Sequence, residues 1–363
     1  MPLQRDCAKK YSNDPDGGDL PNLKDMTLQE IEAFIARLGK ERYRSKQIMK
    51  WIYRFGVDSF DEMTDLSKTF RNELQGLARI SAIEIKAIRT SADGTKKILF
   101  ALHDGLCIES VVIPGKNDFT LCVSTQAGCR MGCRFCLTGK FGLKRNLWPS
   151  EITDQITISR FGIPEGRRID NIVLMGMGEP LDNYENVVKA IRIMSSDSGL
   201  AVSNRKITLS TCGIIPGILQ LSQDIQVNLA VSLNAADDGT RTSLMPLNKK
   251  YPLHALIDAC RRYQMPRGRR VTFEYVLMEG INASVRDAER LAGLLKGLRC
   301  KINLIAFNEY PGSAYRKPPK DSIEAFRSYL ITRHFTAILR AGRGADILAA
   351  CGQLSGQEGG IYN

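Results

Sequence analysis

Hydrophobic and polar positions follow three regimes along this chain of 363 residues, and each change of period predicts a change of structure. Residues 1–25 mix Lys, Asp, Gly, Pro and Asn without any apolar period and read as a flexible N-terminal tail. Helical spacing then begins. Thr27-x-x-Glu30 is a capping box, Leu28, Ile31, Phe34, Ile35 and Leu38 form one face, and Gly39 suits the position just past a helix end. A second helix carries Ile48, Trp51 and Ile52 on one face, and a third runs near Phe70, Leu74 and Leu77. Residues 26–80 are therefore expected to be a small helical accessory domain.

Between 81 and 114 the period falls to two. Ile83, Ile85 and Ala87 alternate, Asp93-Gly94 is a hairpin turn, and Ile98 to Leu102 returns. Asp104-Gly105 then leads into a run from Cys107 to Pro114 containing Glu109, which completes a β extension.

From 115 to 342, β-rich runs alternate with amphipathic helices. Strands are expected at 120–124, 171–175, 206–210, 227–232, 271–276 and 301–306, with helices starting after Ser150, near Asn186, after Pro216, at Pro252 and at Ser284. Six βα units in series predict a parallel sheet. Six are too few for a closed eight-fold barrel, so the expected fold is α/β, an open partial (βα)6 barrel. Such folds carry their sites at the C-terminal strand ends. A further helix near 323–332, a strand through 336–340 and a C-terminal segment from 343 to 363 complete the chain.

Charge and cysteine usage narrow the function classes. Lys and Arg number 51 against 39 Asp and Glu, a net +12 that favours an anionic partner such as RNA. Arg42, Arg44, Lys46, Lys50 and Arg54, interleaved with Tyr43, Tyr53 and Phe55, could meet an RNA backbone or form a solvated face. Ten cysteines with no signal peptide and no apolar run of transmembrane length imply a reduced, cytoplasmic protein without a membrane anchor. Three scattered histidines make imidazole catalysis improbable.

The chemistry centres on Cys129-Arg-Met-Gly-Cys133-Arg-Phe-Cys136. Three thiolates in a C-x3-C-x2-C run can hold an iron–sulfur cluster and leave one iron open to a small molecule. A structural zinc site would be closed by a fourth ligand, and no partner motif lies nearby. Other candidate groups fall at strand ends. Gly178 and Glu179 close Met175-Gly-Met-Gly-Glu-Pro, where the glycines let backbone approach a ligand and Glu179 could accept from an ammonium. Ser210 ends one strand, and Ser232-Leu233-Asn234 ends the next. Cys122, before the cluster loop, and Cys351, in a Gly-flanked tail segment, read by themselves as a core hydrophobe and an incidental thiol.

The C-x3-C-x2-C spacing is similar to that of radical S-adenosylmethionine (SAM) enzymes. Together with Cys122-Val-Ser-Thr-Gln-Ala-Gly-Cys129, Leu143-Lys-Arg-Asn-Leu147, Met175-Gly-Met-Gly-Glu-Pro-Leu181, Leu209-Ser-Thr211, Ile302-Asn-Leu-Ile305 and Arg343-Gly-Ala-Asp-Ile-Leu-Ala-Ala-Cys351-Gly-Gln-Leu354, the chain resembles the RlmN family of dual-specificity RNA methyltransferases. The resemblance is collinear from the N-terminal helices to the tail. It implies methylation of C2 of an adenosine in 23S rRNA and in tRNAs, with two SAM consumed and one [4Fe–4S] cluster per chain. It implies Cys129, Cys133 and Cys136 as cluster ligands, and Gly178, Glu179, Ser210, Ser232, Leu233, Asn234 and Asn308 as SAM contacts. By the same resemblance Cys351 carries the methyl group, Cys122 resolves the protein–RNA adduct by forming a disulfide with it, and Glu109 is the base. Many members have His where this chain has Asn234. A monomer and an electron donor such as flavodoxin or ferredoxin are also implied. Two rival readings are a C8-adenosine methyltransferase of the same architecture and a non-catalytic RNA-binding protein holding zinc.

Overall fold

The structure is a computed structural model that describes residues 20–116, 118–162, 168–265 and 268–356. Three helices come first: α1 (Leu28–Arg37), α2 (Tyr43–Lys50) and α3 (Lys68–Gln75). The expected capping box opens α1, with the Thr27 N–H donating to Glu30 Oε2 at 2.8 Å and the Glu30 N–H returning to Thr27 Oγ1 at 3.3 Å. Ile31, Phe34, Ile35, Ile48, Ile52, Phe70 and Leu74 bury their side chains in a core continuous with that of the main sheet.

That module is seated firmly on the rest of the molecule. Lys24 pairs with Asp154 at 2.5 Å, both fully buried, and Glu30 pairs with Lys189 at 2.8 Å. These contacts move the predicted end of the tail. Residues 1–19 of the expected tail lie outside the described residues, but Asn22 bridges Arg79, and Leu23–Asp25 form a buried 3₁₀ turn. A single turn carries no readable period, so its burial is invisible in the pattern.

The main sheet has ten strands among the described residues. β1 (Glu84–Thr90), β2 (Lys96–Ala101), β3 (Cys107–Pro114) and β4 (Phe119–Cys122) run antiparallel to one another. From β4 onward every neighbour is parallel: β7 (Ile169–Leu174), β8 (Ile207–Thr211), β9 (Asn228–Ser232), β10 (Val271–Leu277), β11 (Cys300–Ala306) and β12 (Ala337–Arg340). The open barrel is thus the sequential parallel sheet that the alternating runs predict, with the β extension continuing it beyond β4. Strands β1 and β12 remain its two free edges.

Helices α5 (Pro149–Gly162), α6 (Tyr184–Ser195), α7 (Ile215–Asp224), α9 (Leu253–Arg262), α10 (Val285–Leu294) and α11 (Lys320–Thr332) link successive parallel strands. Two features escape the sequence pattern. A hairpin arm of β5 (Gln126–Gly128) and β6 (Leu143–Asn146) projects after β4, with the short α4 (Leu137–Lys140) between its strands. An extra helix, α8 (Asp238–Leu244), follows β9.

Candidate active site

The cysteine run lies between the two strands of the β5–β6 arm, so the arm sets its position. The Cys129 N–H donates to the Gly142 carbonyl at 3.0 Å, the Cys136 N–H to Cys133 O at 3.1 Å, and the Arg134 N–H to Leu244 O at 2.9 Å. Gly128 turns the chain into the loop at φ +82°, and a Cβ there would overlap the Gly142 carbonyl. Only glycine meets both demands.

Cys129, Cys133 and Cys136 border one cavity of about 160 Å³. The C-terminal halves of five parallel strands and the turns after them line it as well. After β7 come Gly178 and Glu179, from β8 and just past it Ser210, Thr211 and Cys212, from β9 and just past it Ser232 and Asn234, from β10 Glu274 and Val276, and from β11 Ile305. Gly178 sits at φ +102°, where any Cβ would press on Gln126. Glu179 is fully buried, accepting from the Leu181 N–H at 3.0 Å and the Cys212 N–H at 2.7 Å. Burial still pushes its carboxyl up from the usual range, and those hydrogen bonds only offset part of it.

The thiols are equally reluctant to ionise without a cation. Burial pushes Cys129 up to about 12, and burial followed by the charges of Cys136 and Cys129 pushes Cys133 well up. A bound metal reverses this balance by drawing charge onto the sulfurs. Among the described residues no three His, Cys, Asp or Glu side chains gather tightly enough for a single metal ion. Cys129, Cys133 and Cys136 bring three sulfurs to this cavity, a donor set suited to an iron–sulfur cluster.

A second cavity adjoins the first. Cys136, Met175, Gly176, Ile305, Cys351 and Gly352 border both. Cys122, at the end of β4, and Asn308, after β11, line the second together with Arg340. Cys351 is exposed, but it opens onto these cavities, and the surrounding protein raises its thiol, with Glu274 adding to the effect. Burial also pushes Cys122 far up, the charge of Cys351 coming next. The segment bearing Cys351 is bonded directly to the cluster helix: the Leu137 N–H donates to Gly352 O at 2.8 Å, and Thr138 Oγ1 to Leu354 O at 2.7 Å.

Four expected site residues sit differently from their neighbours. Leu233 is fully buried in the core and lines neither cavity; its N–H donates to Glu274 O at 2.9 Å and its carbonyl accepts from Arg241 Nε at 3.0 Å. Asn234, at φ +58°, spends its side chain on Val276 N and Met245 S. Asn308 reaches the other cavity, donating to Cys351 O at 3.3 Å. Glu109 lines neither cavity; it is fully buried and paired with Lys97 at 2.9 Å.

Sequence reading missed Glu274 and Arg241. Glu274 accepts from Ser210 Oγ at 3.0 Å and faces Arg340 at 3.6 Å. A lone carboxylate inside Val271-Thr-Phe-Glu-Tyr-Val-Leu277 was a readable signal. Arg241, fully buried on α8, donates to the carbonyls of Cys212, Ser232 and Leu233 and to Asn248 Oδ1 at 2.7–3.2 Å. It fixes the ends of β8 and β9, and nothing in Asp238-Gly-Thr-Arg-Thr242 announces it.

Comparison with known proteins shows the family. Residues 21–80 match the model of the ribosomal RNA large subunit methyltransferase N-terminal domain, and residues 123–292 match the radical SAM superfamily. The dual-specificity RNA methyltransferase RlmN of Syntrophus aciditrophicus is 58% identical over 336 residues, covering 93% of this chain and 97% of that protein. The RlmN of Geobacter sulfurreducens is 50% identical, covering 93% and 92%. The crystal structure of a radical SAM methyltransferase from Sphaerobacter thermophilus superposes with a TM-score of 0.88 at 44% identity, covering 93% of this chain and all of that one.

Proposed function

Since the chain belongs to the RlmN family and is a radical SAM RNA methyltransferase using a [4Fe–4S] cluster, we propose that it methylates C2 of an adenosine in 23S rRNA and in tRNAs through Cys351. The observation that carries this reading is the pair of adjoining cavities, with Cys136 and Cys351 bordering both and Cys122 facing Cys351 in the second.

Cys129, Cys133 and Cys136 would hold the cluster. Gly178, Glu179, Ser210 and Ser232, with the backbone at Asn234, would hold SAM in the first cavity. Together the cluster and SAM supply the methyl group and the hydrogen-abstracting radical that an electron-poor C2 requires. The chain's own work is to place two further sulfurs. Cys351 carries the one-carbon unit, and its position between the cavities lets it face SAM on one side and an unstacked adenine on the other. Cys122 then attacks the Cys351 sulfur: a disulfide forms, the sulfur–carbon bond breaks with its electron pair left on the carbon, the C2 proton is removed, and a proton taken up by that carbon completes the methyl group as the base leaves. Asn308 holds the Cys351 carbonyl during this exchange. Under this reading Glu109 is the base named by the family pattern, although the carboxylate is here engaged by its neighbours.

The N-terminal module, residues 26–80, would dock RNA, with Tyr43 and Phe55 exposed beside Arg44 and Lys50. No helix among the described residues is long and apolar enough to cross a membrane. A monomer acting in the cytoplasm and reduced by flavodoxin or ferredoxin completes the proposal.

The test is incubation of the reduced enzyme with methyl-labelled SAM and 23S rRNA, followed by mass mapping of the modified nucleoside. Label at adenosine C2 is expected. Label at C8, or on the ribose, would overturn the assignment.

A further inference from the structure

Glu109 and Lys97 are a buried ion pair on one face of adjacent strands, Lys97 on β2 and Glu109 on β3, with side chains 7% and 1% exposed. A buried pair of this kind is weak evidence for stability, because desolvation offsets much of its attraction. What distinguishes this pair is where its remaining hydrogen-bonding capacity goes. Lys97 Nζ donates to the Leu348 carbonyl at 3.2 Å. Glu109 Oε2 accepts from the Ser355 N–H at 2.7 Å and the Gly356 N–H at 3.0 Å. The two residues therefore grip the same segment on either side of Cys351.

The hairpin turn that joins β1 to β2 holds the start of that segment. Ser91 Oγ donates to Asp346 Oδ1 at 2.6 Å, the Ala92 N–H donates to Asp346 Oδ2 at 3.2 Å, and the Gly344 N–H donates to Asp93 Oδ2 at 3.1 Å. The segment leaves β12, one edge of the sheet, and is received by the β1–β2 hairpin at the other edge. Gly356 sits at φ +71°, and a Cβ there would press on Cys107 O, so the chain lies close against β3.

We propose that Lys97 and Glu109 form a clamp that seats the Cys351 segment over the two cavities, making the β extension the cradle of the methyl carrier. Both are positioning residues. The clamp rests on Cys351 being the carrier, and in it the Glu109 carboxylate holds the backbone N–H groups that seat the segment. In this seated arrangement three donors occupy the Glu109 oxygens.

The experiment compares Lys97→Met, Glu109→Gln and the charge-swapped pair Lys97→Glu/Glu109→Lys with the wild-type holoenzyme. Two quantities are read: hydrogen exchange of residues 345–356, and transfer of labelled methyl from SAM to Cys351 by mass spectrometry. The clamp predicts exchange faster by about tenfold or more in Lys97→Met, slower Cys351 methylation, and unchanged iron content and KM for SAM. The swapped pair keeps the opposite charges but reverses donor and acceptor, so it should not restore protection. Restoration would mean that the ion pair alone matters and would overturn the clamp. If the swapped protein does not fold, the two single variants still decide: wild-type exchange and methylation in both overturn it. Normal Cys351 methylation by Glu109→Gln with accumulation of an RNA adduct would assign Glu109 as base and not clamp. Failure of wild-type Cys351 to accept methyl would sink the carrier reading instead, while the exchange data would still report on the grip.

Discussion

Arg241 Nη2 donates to the carbonyl of Cys212 at 2.7 Å, from a guanidinium with no exposed surface. The same side chain spans to Ser232 O and Leu233 O, so one residue of α8 sets the distance between two strand ends of the SAM-side cavity. Arg241→Met would leave these carbonyls unpaired, at an expected cost of about 2–5 kcal/mol in stability. Weaker SAM binding should accompany it even at temperatures where the variant is folded. Equilibrium dialysis with labelled SAM checks this; wild-type affinity in a folded Arg241→Met protein would show that the strand ends hold themselves.

Asp25 gives the seat of the N-terminal module a pH dependence. Burial pushes its carboxyl up to about 6 from 3.8, Glu151 and Asp154 adding to the effect, while the Ser150 N–H hydrogen bond opposes it. The folded state thus binds this proton more tightly than the unfolded state. Its stabilising contribution is fully present below pH 3.8 and is lost as pH rises to about 6. At ~1.4 kcal/mol per pH unit the change is worth up to about 3 kcal/mol. Asp25→Asn should therefore stabilise the protein above pH 6 and flatten this part of the profile. Denaturant melts of both proteins between pH 4 and 8 measure it, and parallel curves would refute it.

The RNA-docking role of the module is best tested by surface substitution. Deleting residues from 26 would disturb the Glu30–Lys189 pair and the neighbourhood of the buried Lys24–Asp154 pair, whose disruption is costly. Tyr43 and Phe55 are each 51% exposed, with Arg44 and Lys50 stacked on their rings at 4.6 and 5.4 Å. Replacing Tyr43, Lys50 and Phe55 by Ala should weaken RNA binding, flatten its salt dependence and spare SAM cleavage. Unchanged RNA affinity across a salt series would place the docking surface elsewhere.

Much of this site was legible because its chemistry is concentrated in local motifs. Cys129, Cys133 and Cys136 are close in sequence, Ser210 and Ser232 end strands whose apolar runs are plain, and Glu179 sits in the Gly-rich turn after another. The rest depends on contacts between distant segments. Lys97 lies in a strand that reads as Lys-Lys-Ile-Leu-Phe-Ala, where the second lysine passes for a solvated edge residue until Leu348 and Glu109 are placed beside it. Glu109 likewise reads as an exposed strand carboxylate, yet it is buried. The β5 and β6 strands, of 3 and 4 residues, are too short to show a period. Their pairing comes from the cluster arm as a whole.

The most direct test of the account lies in the two cysteines outside the cluster. Cys351→Ala should abolish RNA methylation because the carrier sulfur is gone. Cys122→Ala should still load Cys351 and attack the adenine, but no thiolate remains to break the sulfur–carbon bond. That variant, produced alongside cellular RNA and run on a denaturing gel with and without ribonuclease, should show a protein band shifted upward by covalently attached RNA. The shift should collapse on ribonuclease treatment. An RNA-free band for Cys122→Ala, with normal methylation of the RNA, would contradict the covalent mechanism.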